Sequence, residues 1–329
     1  MAVTLKEMGR HFNVAPSTIS RALQNDPRIS RDLRKKIRSY AEKIGYHRNA
    51  VARSLKTNRT YTIGFIAPEI ANDFFMKVAQ GVEERLESEG YHLIVCNSNE
   101  KVEEEKRRIN LLFENRVDGM IIIPSSASGT HFSVLRNRNI PFVLVDRLAE
   151  DIESDAVLSD NEGGTFLAIS RLIERGIRRI GFIGGDMTFT SAKERYSGYI
   201  RALEENCIPL EKEIIRFGDF HIGSGFTCMK NIMEQPLPPE HVFIANVFMQ
   251  VGAVKYILDR GGRFAEKIGI AGFDEMYLSP VLGFTSITVA QPILQIGREA
   301  AGLLLKRIQG ETTDFPRIIR LETTLMLHD

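Results

Sequence analysis

Several apolar runs in this chain of 329 residues end in charged, planar or aromatic side chains. Asn72-Asp73-Phe74-Phe75 follows YTIGFIAP, Asp146-Arg147 closes PFVLVDR, Asn246 lies at the end of HVFIANV, and Asp274 closes KIGIAGFD. Carboxylate, amide and guanidinium groups offer paired hydrogen bonds to hydroxyls, and an aromatic face offers an apolar platform, so such a set suits a polyhydroxylated ligand. Each has a plainer reading: Phe74 and Phe75 as core residues capping a sheet, Asp146 as a helix cap or the partner of Arg147. A second set lies near the N-terminus, where Ser17, Ser20 and Arg21 fall off the apolar face of a short helix beginning at Pro16. A guanidinium fork can bond bidentately to a guanine edge, typically ~1–3 kcal/mol of discrimination. Ser17 and Thr18 offer short hydroxyls for a base edge or a phosphate, and the plainer reading of Arg21 is a phosphate contact.

The elements that position these residues follow from local chemistry. Thr4-Leu5-Lys6-Glu7 is a capping box for a first helix whose Leu5, Met8 and Phe12 share a face. Asn13 ends it, and Pro16 suits the first position of a second helix, where its missing N–H costs nothing. Ile19, Ala22 and Leu23 form the second helix's apolar stripe. Ser30 opens a third helix with Leu33, Ile37, Ala41 and Ile44 at helical spacing, closed by Gly45. Three short helices with a tight first turn make a helix-turn-helix headpiece over residues 1–47, and its second helix belongs in a DNA major groove.

From Tyr61 onward, eight apolar runs alternate with amphipathic helical stretches such as Phe74 to Glu89 and Val102 to Asn115. Unbroken β-branched runs separated by helices indicate buried parallel strands. The fold class is therefore α/β: a helix-turn-helix headpiece and hinge, then two doubly wound lobes over residues 61–329. Ligands bind such sheets beyond the carboxyl ends of their strands, here in a cleft between lobes. The Glu103-Glu104-Glu105 and Lys106-Arg107-Arg108 run reads as a solvated helix face, and Gly184-Gly185-Asp186 as a turn letting strand and helix approach closely.

The overall charge of +1 divides unevenly: residues 1–60 carry +10 and the remainder −9. A basic segment of that density suggests a polyanionic partner and steeply salt-dependent binding, although a solvated helical surface gives the same count. No run approaches the ~20 apolar residues of a membrane span, and the N-terminus lacks a signal-peptide core, so export is not expected. Three scattered cysteines exclude a disulfide framework or zinc ribbon and fit a reducing cytosol. Seven histidines show no metal-ligand spacing; His47 is placed to touch DNA, and the others need no special role. Phosphate-loop, nucleophile-elbow, zinc-protease and dinucleotide motifs are all missing. Neither an enzyme nor a cofactor nor a metal is expected.

Two motifs carry a family resemblance. Val14 to Asn25 reads V-x-x-x-T-I-S-R-x-L-x-N, and Asn49 to Leu55 reads N-A-x-A-R-S-L. Together they resemble the start of a LacI/GalR-family transcription regulator. The resemblance implies a hinge over residues 48–60 that becomes helical in the minor groove when two subunits meet on DNA. By position Leu55 is then the leucine that wedges the central base step, with Ala52 packed beside it. The DNA-contacting set implied is Thr4, Pro16, Ser17, Thr18, Arg21, Asn49, Ala52 and Leu55. Ala15 and Arg48 depart from the usual Ser and Pro.

The rest of the chain resembles the family's regulatory part, which is similar to periplasmic sugar-binding proteins with three crossings between lobes. That likeness implies one lobe of about 61–160 plus 290–319 and another of about 161–289 plus 320–329. It also implies effector contacts by Phe74, Phe75, Arg195, Phe220 and Asp274, which with the strand-end groups Asp146, Arg147 and Asn246 make up the expected effector site. Val247 stands where the family usually has Asp, which weakens a simple neutral-hexose assignment and leaves a sugar acid or sugar phosphate open. The expected protein is a cytoplasmic homodimeric repressor that binds a pseudo-palindromic operator on double-stranded DNA. Its controlling effector is a sugar, sugar acid or sugar phosphate. Two alternatives remain at this stage: a transporter's solute-binding protein, and a regulator controlled by a partner protein.

Overall fold

A computed structural model describes residues 4–23, 25–46, 59–261, 268–275 and 285–328. The chain forms two compact units, residues 1–60 and 61–329.

In the smaller unit, helices α1 (Leu5–Phe12), α2 (Pro16–Leu23) and α3 (Arg31–Lys43) enclose a core of Met8, Ile19, Ala22, Ile37 and Ala41. The capping box is complete: Thr4 Oγ1 accepts from the Glu7 N–H at 3.3 Å, and the Glu7 carboxylate accepts from the Thr4 N–H at 2.7 Å. Asn13 takes the left-handed conformation, φ 51°, that turns the chain into α2. The turn is tight enough that a Cβ at Gly9 would stand 2.8 Å from the Val14 carbonyl oxygen. Ser30 caps α3, and Gly45 follows it with φ 61°.

The larger unit contains two six-stranded sheets. The first has strands β1 (Thr62–Ala67), β2 (His92–Asn97), β3 (Gly119–Ile122), β4 (Phe142–Val145), β5 (Asp155–Ser159) and β11 (Ile318–Leu321), in the order β11-β5-β4-β3-β1-β2. It is parallel throughout, with Phe65 opposite Val95 and Ile121. The second has β6 (Ile180–Gly184), β7 (Ile215–Phe217), β8 (His241–Ile244), β9 (Gly269–Phe273), β10 (Thr285–Ala290) and β12 (Thr324–Leu327), in the order β12-β10-β9-β8-β6-β7. Only β12 is antiparallel in it. Strands buried on both faces, such as β3, β4 and β6, are the unbroken apolar runs. Edge strand β2 is largely exposed.

Helices α4 (Asp73–Glu87), α5 (Val102–Glu114), α6 (Ser133–Asn137) and α11 (Ile293–Ile308) pack on the first sheet; α7 (Asn161–Glu174), α8 (Thr190–Glu205), α9 (Ile222–Met233) and α10 (Val247–Arg260) pack on the second. The chain passes between lobes after β5, after β10 and between β11 and β12. The last crossing falls at Glu322-Thr323, so Arg320 and Leu321 belong to the first sheet, paired with Leu158 and Ser159, rather than to the second lobe.

Four strands lie outside the eight apolar runs. In β5, Asp155 is wholly buried and accepts from Arg307 Nε at 2.7 Å, Arg307 Nη2 at 3.0 Å and the Arg317 N–H at 2.8 Å. That network satisfies a charge at a strand start and fixes α11 and β11 to it. Strands β10, β11 and β12 mix polar and apolar residues. A second correction concerns α5, where Glu105 is not solvated. It is wholly buried, accepting from the Ser125 N–H at 2.9 Å and paired with His131 Nε2 at 2.6 Å. His131 therefore has a structural role that the sequence reading did not give it.

Candidate functional sites

On the headpiece, Thr4, Pro16, Ser17 and Arg21 are exposed and Thr18 and Ser20 partly so. The Arg21 side chain makes no hydrogen bond with any described residue, whereas Arg28 is tied to Asp26 at 2.6 Å. An exposed, uncommitted guanidinium beside two hydroxyls is available to an outside partner. His47, Arg48, Asn49, Ala52 and Leu55 lie outside the described residues.

In the larger unit, all eight residues assigned to the effector site line one cleft between the two lobes. Asn72 caps α4 by accepting from the Phe74 N–H at 3.0 Å, which sets Phe74 and Phe75 just past the end of β1. Both rings are mostly buried and meet edge to face at 5.4 Å, so they pack on the first-lobe core while reaching the cleft. The core and lining readings are thus both satisfied.

Past β4, Asp146 adopts φ 68° and holds Arg147 Nε at 3.3 Å. The Arg147 guanidinium crosses to the second lobe, lying 4.1 Å from the Phe189 ring centroid and 5.7 Å from that of Phe220. Glu100, after β2, reaches Arg147 at 3.5 Å.

The second lobe supplies the more deeply buried groups. Helix α8 presents Ser191 and Arg195 one turn apart. Arg195 is 4% exposed, donates through Nε to Asn161 Oδ1 at 2.9 Å and through Nη1 to the Ala245 carbonyl, and lies 3.8 Å over the Phe273 ring. Its Nη2 has no hydrogen-bond partner among the described residues. Burial lowers the Arg195 pKa below its ordinary value, and the charges of Asp274 and Asp146 oppose that fall. The Asp274 carboxyl is pushed up by burial and held back by Arg195 and by a hydrogen bond from Gln291 Nε2. Arg195 and Asp274 make no direct ion pair with each other, their hydrogen bonds going instead to Asn161, Ala245 and Gln291.

Asn246 is committed in part, since its Oδ1 caps α10 at the Met249 N–H and its Nδ2 donates to the Phe220 carbonyl at 2.9 Å. That bond holds Phe220 in its left-handed backbone conformation, φ 68°. Gly185 has a sharper role than letting strand and helix approach: a Cβ there would stand 2.0 Å from Phe220 Cε1. Its bare backbone is the seat of the Phe220 ring.

The sequence reading missed Glu69, Glu100, Ser191, His221, Phe248 and Gln291 as cleft-lining residues. Ser191 could have been found from its i, i+4 spacing to Arg195. Gln291 was hidden because β10, which it follows, was not recognised as a strand. Glu100 owes its place to a left-handed turn with no glycine to mark it.

Two family models cover nearly the whole chain: bacterial regulatory proteins of the lacI family over residues 4–49, and periplasmic binding proteins and sugar binding domain of the LacI family over residues 60–326. The chain belongs to the LacI family. The HTH-type transcriptional repressor PurR of Actinobacillus pleuropneumoniae serotype 3 is 30% identical, covering 98% of this chain and 97% of the relative. The HTH-type transcriptional repressor CytR of Escherichia coli K12 is 32% identical, covering 94% and 91%. Among solved structures, the transcriptional regulator CelR–cellobiose complex superposes with a TM-score of 0.75 at 27% identity, covering 99% of this chain and 98% of that one. This LacI-family member is a DNA-binding transcriptional regulator with an effector-binding domain, not an enzyme. The headpiece match sets aside the solute-binding-protein reading. No helix among the described residues is long and apolar enough to cross a membrane.

Proposed function

We propose that this regulator represses transcription as a cytoplasmic homodimer, its affinity for a pseudo-palindromic operator set by a small carbohydrate-type effector in the interlobe cleft. The observation that carries the reading is the convergence of Arg195, Asn246 and Asp274 from one lobe with Phe74, Phe75 and Arg147 from the other on a single cleft. Arg195 Nη2 and the Asp274 carboxylate bond adjacent ligand hydroxyls, Asn246 and Gln291 add further polar contacts, and Phe75 and Phe220 supply apolar faces. Asp146 aligns Arg147 at the first-lobe wall.

Operator reading is assigned to Arg21, Ser17 and Thr18 in the major groove, with Pro16 giving apolar contact and Thr4 fixing the helix start at the phosphates. Asn49, Ala52 and Leu55 act at the centre of the palindrome, where two hinges meet. The relative CelR, solved with cellobiose, supports a sugar as the ligand class.

The test is a thermal-shift screen of the full chain against sugars, sugar acids and sugar phosphates, followed by operator-binding assays with each hit. A ligand at 100-fold excess over its Kd is expected to stabilise the body by about 2.7 kcal/mol. Hits that stabilise the protein while leaving operator affinity unchanged would overturn the regulatory assignment, and a monomeric mass on operator DNA by light scattering would overturn the dimer.

A further inference from the structure

The lining of the cleft carries more negative than positive charge. Four carboxylates, Glu69, Glu100, Asp146 and Asp274, accompany two guanidinium groups, Arg147 and Arg195. Glu100 lies 3.5 Å from Arg147 and 3.7 Å from His221, which also lines the cleft, so Glu69 is the carboxylate left without an ion pair or hydrogen bond among the described residues and Glu100 shares its charge with those two groups.

These two acids sit together. The Glu100 N–H donates to the Pro68 carbonyl at 3.2 Å, placing the turn after β2 against the residue before Glu69. Asn99 and Glu100 both hold left-handed conformations, φ 53° and 54°, which non-glycine residues rarely adopt in succession. Strain of this kind persists where the surrounding structure fixes it, most often at ligand sites. The Glu69 carboxylate has no hydrogen bond or ion pair among the described residues. Phe74, Phe75, Phe220 and Phe248 line the same cleft, and aromatic faces attract cations. Independently, Ser191 is 3% exposed and lines the cleft, with its hydroxyl unbonded among the described residues, so a ligand hydroxyl is also called for.

We infer that the Glu69–Glu100 end of the cleft binds a protonated amine on a hydroxylated effector, and that the same surplus charge turns away sugar phosphates and sugar acids. This narrows the carbohydrate reading and rests on it. The Arg147 guanidinium is no remedy for an anion, because Asp146, Glu100 and the Phe189 ring already occupy it.

The experiment is calorimetric titration of the full chain with matched series built on glucose, galactose and mannose: the parent hexose, its 2-amino-2-deoxy derivative, its 6-phosphate and its aldonic acid. In a frame that binds, the amine is expected to bind at least tenfold tighter than the parent at pH 7, with the phosphate and acid at least tenfold weaker. Glu69→Gln combined with Glu100→Gln is expected to erase the amine's advantage over its parent. Glu69→Gln alone, at an uncommitted and partly exposed side chain, is expected to reduce it without a folding penalty. A phosphate or acid that binds as tightly as the amine overturns the inference and leaves the carbohydrate reading standing. An amine preference that survives both variants overturns the assignment to Glu69 and Glu100. Absence of binding across all three frames overturns the carbohydrate reading and this inference together.

Discussion

Gly185→Ala is the sharpest probe of how the cleft is built. The added methyl carbon would lie 2.0 Å from Phe220 Cε1, 2.1 Å from Cζ and 2.6 Å from Cδ1. Ordinary carbon contacts are about 3.5–4.0 Å, so the ring must retreat by roughly 1.5–2 Å. It cannot retreat with its backbone, because the Phe220 carbonyl is bonded to Asn246 Nδ2 and its φ is already 68°. The ring must instead rotate, giving up its contact with Phe189 and its place over the cleft. Overpacking of this kind costs about 1–3 kcal/mol, and each kcal/mol lowers the Tm of a domain this large by about 2–4 °C. A fall of about 2–12 °C is therefore expected, together with at least a tenfold loss of effector affinity. Gly223→Ala is the matched control: it lies in α9 with nothing within 4 Å of the added carbon, and a helical Gly→Ala change there should gain about 0.5–1 kcal/mol. Differential scanning calorimetry and ligand titration on both variants decide the matter. The reasoning fails if the two variants melt within about 1 °C of each other, or if Gly185→Ala melts early yet binds effector as the parent protein does.

Other perturbations reach different parts of the molecule. Arg21→Ala removes a side chain with no hydrogen bonds in the headpiece, so its Tm should stay within the ~0.5 kcal/mol usual for surface changes; operator discrimination should fall by ~1–3 kcal/mol per half-site. Anisotropy titrations over operator variants would show that as relaxed preference, and a uniform loss would reduce Arg21 to a phosphate contact. Asp155→Ala leaves the buried Arg307 guanidinium without its bidentate partner and should cost about 3–5 kcal/mol by denaturant titration; Asp155→Leu with Arg307→Met should recover most of it, and no recovery would argue against charge burial as the cause. Hydrogen bonds from Arg28 hold the Asp26 pKa down to about 2, and hydrogen bonds from Arg307 and Arg317 do the same at Asp314. Both depress the folded-state value, so their contribution is complete above pH ~4 and is lost as pH falls from ~4 towards 2. Asp26→Asn should flatten the headpiece's acid transition across that window in circular dichroism, and an unchanged profile would refute the assignment.

What the sequence disclosed was chiefly local. The Thr4–Glu7 capping box, Pro16 at a helix start and the Ser30 cap each depend on residues within four positions, and they form as their spacing implies. Strands buried on both faces announce themselves because no water-facing side interrupts the apolar run. Strand β5 did not, since its Asp155 is satisfied by Arg307, more than 150 residues later. Edge strands β11 and β12 are exposed or half-buried at every residue and so lack a continuous buried apolar run. Glu105 shows a signal present but overridden. It shares the i, i+4, i+7 face of Ile109 and Leu112, yet its place in a charged run suggested solvent, and its partners Ser125 and His131 come from a distant loop. In the cleft, Asp146, Asn246 and Asp274 end recognisable strands and Arg195 sits on α8, whereas Gln291 follows β10, a strand without an apolar run.

The cleft contacts also set how strongly an effector can act. Across it, the Leu148 N–H donates to Thr190 Oγ1 at 3.0 Å, Lys193 pairs with Glu150 at 2.9 Å, and His221 faces Glu100 at 3.7 Å. Exposed pairs of this kind contribute about 0–1 kcal/mol each. The buried exception is Arg147, a first-lobe cation held against the second-lobe rings of Phe189 and Phe220. A desolvated cation–π contact can reach about 2 kcal/mol, comparable with the ~1–3 kcal/mol of a typical allosteric coupling. An effector that touches Asp146 on one side and Arg195 on the other gains its full contacts only when the lobes are together, and that difference in affinity is all it has to shift the equilibrium. Arg147→Ala should therefore spread the lobes in the ligand-free protein and weaken effector binding, because part of the ligand's free energy must then close the cleft. Small-angle scattering would register a larger radius of gyration for the ligand-free variant that shrinks on saturation. Superimposable ligand-free curves for variant and parent would mean that closure does not depend on Arg147, and would move the coupling to the three crossings after β5, after β10 and between β11 and β12.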